Sequence, residues 1–232
     1  MTVVHVPHSS VCIPEEYRKS ILLSDEDLRK ELVFMTDAFC DELYAFENMV
    51  VAPVSRFVCD MERFRDDKDE ACAERGQGLL YTHTMDGRRL REFDAALRER
   101  VLREFYDPHH ARLTVAVDEA LEVCGQCLII DGHSFLMDGC ADFCIGTDDF
   151  HTPPKLAEAL HKEIVRMGYS CAFNVPYSGT IVPMKHYRKD ERVRSVMIEV
   201  NRGLYQVDGE FEKGERFGEI CAVCSQLVSL VK

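Results

Sequence analysis

Three places in the chain set chemically competent side chains directly after or at the end of apolar runs. His8, in Pro7-His8-Ser9-Ser10, follows the run Thr2-Val3-Val4-His5-Val6. His133, in Asp131-Gly132-His133-Ser134, follows Cys127-Leu128-Ile129-Ile130. Glu199 follows Val196-Met197-Ile198 and precedes Val200-Asn201-Arg202. Open α/β sheets bind ligands beyond the carboxyl ends of their strands, which is where these groups stand. A solitary histidine there more often completes a hydrogen bond in the core. Two on separate strand ends, with a glutamate on a third, point to a site. Asp37 adds a carboxylate between the apolar stretches Leu32-Val33-Phe34-Met35 and Ala38-Phe39. A carboxylate in such surroundings needs a partner, and a divalent cation is a strong one. The plainer alternative is the polar face of a surface helix. Two neutral imidazoles, one carboxylate and an open water position fit catalytic zinc or another divalent ion.

The elements that must position these groups alternate between strand and helix patterns. Residues 2–6 read as a strand ended by Pro7, and Ser24-Asp25-Glu26-Asp27 reads as a capped helix start. The helical pattern continues through Leu28, Leu32, Met35 and Phe39 towards Tyr44, which places Asp37 inside a helix. Met49-Val50-Val51 and Arg56-Phe57-Val58-Cys59 read as short strands, and the acidic stretch from Arg65 to Gly78 as a solvated loop. Residues 87–123 form a helical region interrupted near Asp107-Pro108. Further strands are predicted at 127–131, 141–146, 170–175 and 196–200, with helices at 154–167 and 210–230. Alternation of this kind predicts an α/β fold with a mainly parallel sheet. Length and the absence of linkers or repeats predict a single domain over 1–232.

Composition narrows the partners. The chain carries 28 Lys and Arg against 41 Asp and Glu, a net charge of -13. Nucleic acid and anionic membrane both demand clustered positive charge, so neither is expected. A small anionic substrate is compatible, because a few arginines in one pocket reverse the sign locally. No apolar run approaches the roughly 20 residues of a membrane span, and no basic segment opens the chain. The expectation is a cytoplasmic protein.

The 11 cysteines offer a competing, non-enzymatic reading. Cys124/Cys127 and Cys221/Cys224 are CxxC pairs that could build a zinc or redox centre. The two pairs lie much further apart than the roughly 15–20 residues usual for a shared zinc site. Cys221 and Cys224 also sit in a helical pattern with Ile220, Val223, Leu227 and Val228, where cysteine behaves as a small buried apolar residue. Core packing is therefore expected.

Six ordered segments resemble the N-formylglutamate amidohydrolase family, whose fold is similar to that of the zinc-dependent carboxypeptidases. They are Val6-Pro7-His8-Ser9-Ser10 with Ile13-Pro14, Thr36-Asp37 with Asp41-Glu42-Leu43, Ser55 to Arg63, Asp131 to Ser134, Asn174 to Gly179, and Ile198 to Tyr205. The resemblance implies a three-layer α/β/α sandwich with a mixed, mainly parallel sheet, like that of the zinc exopeptidases. It implies hydrolysis of an N-acyl amino acid amide, in the family N-formyl-L-glutamate giving formate and L-glutamate during histidine degradation. His8, Asp37 and His133 would hold the metal, Zn2+ or another divalent ion. Glu199 would act as general base, and Arg63 or Arg56 would stabilise the oxyanion.

A substrate with two carboxylates suits bidentate guanidinium groups, and Arg56, Arg63 and Arg202 lie in the matched segments, with Asp60 able to orient one of them. Tyr177, Ser178 and Gly179 would face the substrate as a turn, with Thr180 and His186 on the same wall. His83, His109 and His110 are further pocket candidates. Met61-Glu62-Arg63 stands where the family commonly has an Asn-Arg pair, a departure that bears on specificity. A broader N-acyl amino acid or peptide amidohydrolase is the enzymatic alternative.

Overall fold

The computed structural model describes residues 1–230, and their contacts gather into two compact units. The first unit comprises Met1–Val6, Asp37–Val51 and the chain from Arg112 onward; the second comprises Pro7–Thr36 and Ala52–Ala111. The strands are β1 (Thr2–Val6), β2 (Met49–Val51), β3 (Cys127–Phe135), β4 (Phe143–Gly146), β5 (Cys171–Phe173) and β6 (Val193–Asn201). The helices are α1 (Glu15–Arg18), α2 (Asp25–Met35), α3 (Cys40–Leu43), α4 (Ala95–Val101), α5 (Asp107–Cys124), α6 (Pro154–Arg166) and α7 (Phe217–Leu230).

All six strands belong to the first unit and form one sheet in the order β2-β1-β3-β6-β4-β5. The β4–β6 pairing is antiparallel and the others are parallel, so the sheet is mixed and mainly parallel as expected. One face carries Val4, Val6, Ile130, Val196, Ile198 and Val200 against α3, α6 and α7. Val3, Ile129 and Val193 pack against Leu113, Val117 and Ala120 of α5. Both faces are thus covered, which is why the central strands read as continuous apolar runs rather than alternating ones. Helix α6 starts with Pro154 in its first turn and is followed by Gly168 at φ +91°, the arrangement its sequence predicts.

The second unit is mostly loops and short helices around two apolar clusters. One joins Tyr17, Val54, Val58, Met61, Leu79 and Val101, and the other Ile21, Leu28, Met35, Phe57, Tyr81 and Leu90. The Ser24 hydroxyl caps α2 by accepting from the Asp27 amide at 3.1 Å.

Four sequence expectations are corrected. The helix beginning at Ser24 stops at Met35: Thr36 is extended, Phe39 is left-handed at φ 64°, and Asp37 lies in the break rather than in a helix. The periodicity misled because Leu28 and Met35 serve the second unit's cluster while Phe39 packs against the first unit's core. Arg56–Cys59 is a turn, not a strand, with the Val58 and Cys59 amides both donating to the Ser55 carbonyl. The helical region after Gly87 begins only at Asp94, whose carboxylate caps α4. It passes Pro108 through a π-helical turn at Leu102–Tyr106, which accommodates the missing amide donor. Helix α7 starts at Phe217, later than residue 210.

Candidate active site

The parallel register of the central strands assembles the first unit's polar groups. His5 on β1 is the register partner of Asp131 on β3, and His133 on β3 is the partner of Glu199 on β6. Residues two apart on a strand share a face, so His5, Asp131, His133 and Glu199 all project from the same side of the sheet. All four are buried, as is Asp37. His133 Nδ1 lies 3.0 Å from Asp37 Oδ2, and His133 Nε2 lies 3.2 Å from Asp131 Oδ1. His5 Nδ1 lies 2.8 Å from the same Asp131 Oδ1, while the Ile181 amide donates to Oδ2 at 2.9 Å. Burial alone would raise the Asp131 pKa, but His133 and His5 outweigh it and hold the carboxyl well below the usual range.

Two tyrosines hold the backbone of this cluster. Tyr44 donates its hydroxyl to the Ile198 carbonyl at 2.8 Å and the His133 carbonyl at 3.1 Å, tying β3 to β6 beside His133 and Glu199. Its ring also explains the glycine of Asp131-Gly132-His133: a Cβ on Gly132 would stand 2.7 Å from that ring. Tyr205 donates to the Ala38 carbonyl at 2.9 Å and fixes the turn that carries Asp37. Arg202 is buried in the 3-10 turn after β6, three residues beyond Glu199. Tyr177 and Ser178 are exposed and Gly179 has φ +89°, forming a turn whose Tyr177 carbonyl accepts from the Cys144 thiol.

Four expected site residues fall in the second unit, where Asp60 is the hub. Its Oδ1 lies 2.8 Å from His8 Nε2 and accepts from the Glu62 amide, and its Oδ2 accepts from Arg56 Nη2 at 2.9 Å and the Tyr81 hydroxyl at 2.7 Å. Arg63 Nη2 stands 3.7 Å away and donates to the Tyr81 hydroxyl, while Arg63 Nε donates to the Gln77 carbonyl. Asp60 is fully buried, which would raise its pKa, yet Arg63, His8 and Arg56 hold it well below the carboxylate range. Two guanidinium groups around one carboxylate leave a net positive charge, against the acidic balance of the whole chain.

Other candidates are placed elsewhere. His186 bonds Asp118 of α5 at 2.8 Å, His110 bonds the Met61 carbonyl, and Thr180 pairs with Ser195. All 11 cysteines are free thiols; Cys224 is buried in the core around α7 and Cys124 ends α5 at the surface. Among the described residues, no grouping of side chains able to hold a metal ion includes a cysteine, whereas Asp37 with His133 and His5 with Asp131 fall in such groupings. Sequence reading missed His5, Asp131 and Tyr81. The first two carried a signal, since a carboxylate two residues before a strand histidine must share its face.

A mixed, mainly parallel sheet with buried histidines and carboxylates on one face defines an α/β protein with the side chains of a hydrolase. The family model of N-formylglutamate amidohydrolase matches residues 1–206, and the chain belongs to that family. It is 26% identical over 226 residues to the N-formylglutamate deformylase of Pseudomonas putida, covering 90% of this chain and 82% of that one. The crystal structure of N-formylglutamate amidohydrolase from Ralstonia eutropha JMP134 superposes with a TM-score of 0.84 at 24% identity, over 98% of this chain and 91% of that one. A gene product of Agrobacterium tumefaciens, Atu2144, shares the fold with a TM-score of 0.66 at 18% identity, over 99% and 88% of the two chains. No helix among the described residues is long and apolar enough to cross a membrane.

Proposed function

We propose that this chain hydrolyses the amide of N-formyl-L-glutamate to formate and L-glutamate, using one divalent ion, zinc by the chemistry of its donors. The reading rests on family membership across residues 1–206 and, above all, on the pairing of His133 with Glu199 on adjacent strands of one sheet face. The donor set fits zinc: imidazole nitrogen and carboxylate oxygen are its common ligands, and both Asp37 and His133 are buried beside one another. His8 completes the set as the histidine that follows β1, the strand next to β3 in the sheet. Zinc when bound would polarise the amide carbonyl and lower the pKa of a water towards about 7.

The chain's own groups do the rest. Glu199, buried at a strand end, accepts the proton of the attacking water and passes it to the departing amine nitrogen. Arg63 faces the charge that develops on the carbonyl oxygen, held by Asp60 and the Gln77 carbonyl. Arg56, Arg202 and the Tyr177-Ser178-Gly179 turn receive the amino acid part of the substrate, and Asp60 acts by orienting Arg56 and Arg63. The compartment is the cytoplasm and the metabolic setting histidine degradation.

A wider N-acyl amino acid range is the second reading. It is favoured by the engagement of both Arg56 and Arg63 with Asp60 and by Glu62 beside them in sequence, which temper the positive charge offered to a dianion. Initial rates on N-formyl-L-glutamate, N-formyl-L-glutamine and N-acetyl-L-glutamate separate the two. The first is expected to exceed N-formyl-L-glutamine by at least about tenfold in kcat/KM, the loss for one missing charge-assisted contact, and N-acetyl-L-glutamate by about tenfold or more, for the extra methyl group on the acyl carbon. Equal rates on all three would favour the broader enzyme.

A further inference from the structure

The hydrogen bonds of Asp131 decide which nitrogen of His133 can bind an ion. Asp131 is buried, and a carboxylate is by its chemistry an acceptor, so the groups that face it stand as donors. The Ile181 amide donates to Oδ2, and the imidazoles of His5 and His133 approach Oδ1 at 2.8 and 3.2 Å. His133 therefore carries its proton on Nε2. In a neutral imidazole the other nitrogen, Nδ1, then presents a lone pair, and it faces Asp37 Oδ2 at 3.0 Å. The two atoms stand close enough for one cation to take both as ligands. Two ligands of a tetrahedral zinc ion with bonds of about 2.0–2.1 Å stand about 3.3 Å apart, close to the spacing seen. The second unit repeats the pattern, with His8 Nε2 on the fully buried Asp60.

We propose that Asp131, buttressed by His5, is a positioning residue that fixes the Nε2–H tautomer of His133 and commits Nδ1 to the metal. In this assignment Asp131 acts through His133. The inference rests on the assignment of His133 as a metal ligand. Ligand histidines commonly donate their second N–H to a carboxylate, and loss of that partner weakens metal affinity by roughly 10–100-fold.

The test is zinc affinity at fixed, near-neutral pH, measured by competition with a chromogenic chelator on wild type, Asp131→Asn and His133→Ala. Asp131→Asn keeps the size of the side chain but removes its charge and sets an amide group against a donor. The expected result is zinc binding weakened by about 10–100-fold in Asp131→Asn and lost in His133→Ala. Nitrogen NMR of the zinc-loaded wild type needs no variant, and should show His133 protonated at Nε2 with the metal on Nδ1. Wild-type affinity in a folded Asp131→Asn, or zinc on Nε2, overturns the proposal. Full zinc binding by His133→Ala would instead remove the ligand assignment beneath it, and the proposal with it.

Discussion

Glu199→Gln is expected to lower kcat on N-formyl-L-glutamate by about 10²–10⁴-fold, the usual contribution of a positioned general base. Glutamine keeps the shape of a side chain that is buried on β6, paired in register with His133 on one side and Cys144 on the other. The sheet therefore has no reason to rearrange. Thermal stability and zinc content should stay at wild-type values, so the loss would fall on the proton transfer alone. KM should change little, because Glu199 is assigned no role in holding the amino acid part of the substrate. Activity retained at wild-type level would remove Glu199 from the mechanism, whatever became of the metal site.

Asp60→Ala is expected to damage the fold as well as the chemistry. The carboxylate accepts from Arg56, Tyr81 and the Glu62 amide, contacts His8, and lies within 3.7 Å of Arg63. Removing one partner of a buried ion pair leaves the other charge without compensation, typically at about 3–5 kcal/mol. For a domain of this size that corresponds to a fall in Tm of roughly 6–20 °C.

The same network sets an acid limit on stability. The folded pKa of Asp60 lies below its unfolded value, so the group's stabilisation is complete above about pH 4–5. It is lost as pH falls from there through the native pKa. Urea unfolding followed against pH should show a steep acid limb in wild type and a shallower one in Asp60→Asn. Identical limbs would show that Asp60 carries little of the coupling.

How far the site could be read in the sequence varied with the physics behind each residue. His133 and Glu199 were legible because a titratable side chain ending a buried parallel strand stands at the edge of the sheet where ligands bind. Their direct pairing was not, since register between strands sixty-odd residues apart leaves no local mark. Asp37 was recognised as a carboxylate in apolar surroundings but misplaced in a helix. The apolar spacing runs on through Phe39, although Thr36 and Phe39 break the backbone between two helices that pack in different units.

Asp60 was seen as a guide for one arginine. Its other partners, His8 and Tyr81, lie 52 and 21 residues away, and only the fold brings them together. The order of the central strands could not be deduced either, because β6 inserts between β3 and β4 and reverses one pairing. In a chain that is acidic overall, Asp60 gathers Arg56 and Arg63 around one carboxylate.

Metal-dependent turnover of N-formyl-L-glutamate tests the account most directly. Protein stripped with chelator and dialysed is titrated with zinc while formate release is followed. The expected result is no turnover in the stripped protein and a rate that rises linearly to a plateau at one equivalent of zinc, with none regained in His133→Ala. Undiminished formate release by the metal-free protein, or no release after full zinc loading, would contradict it.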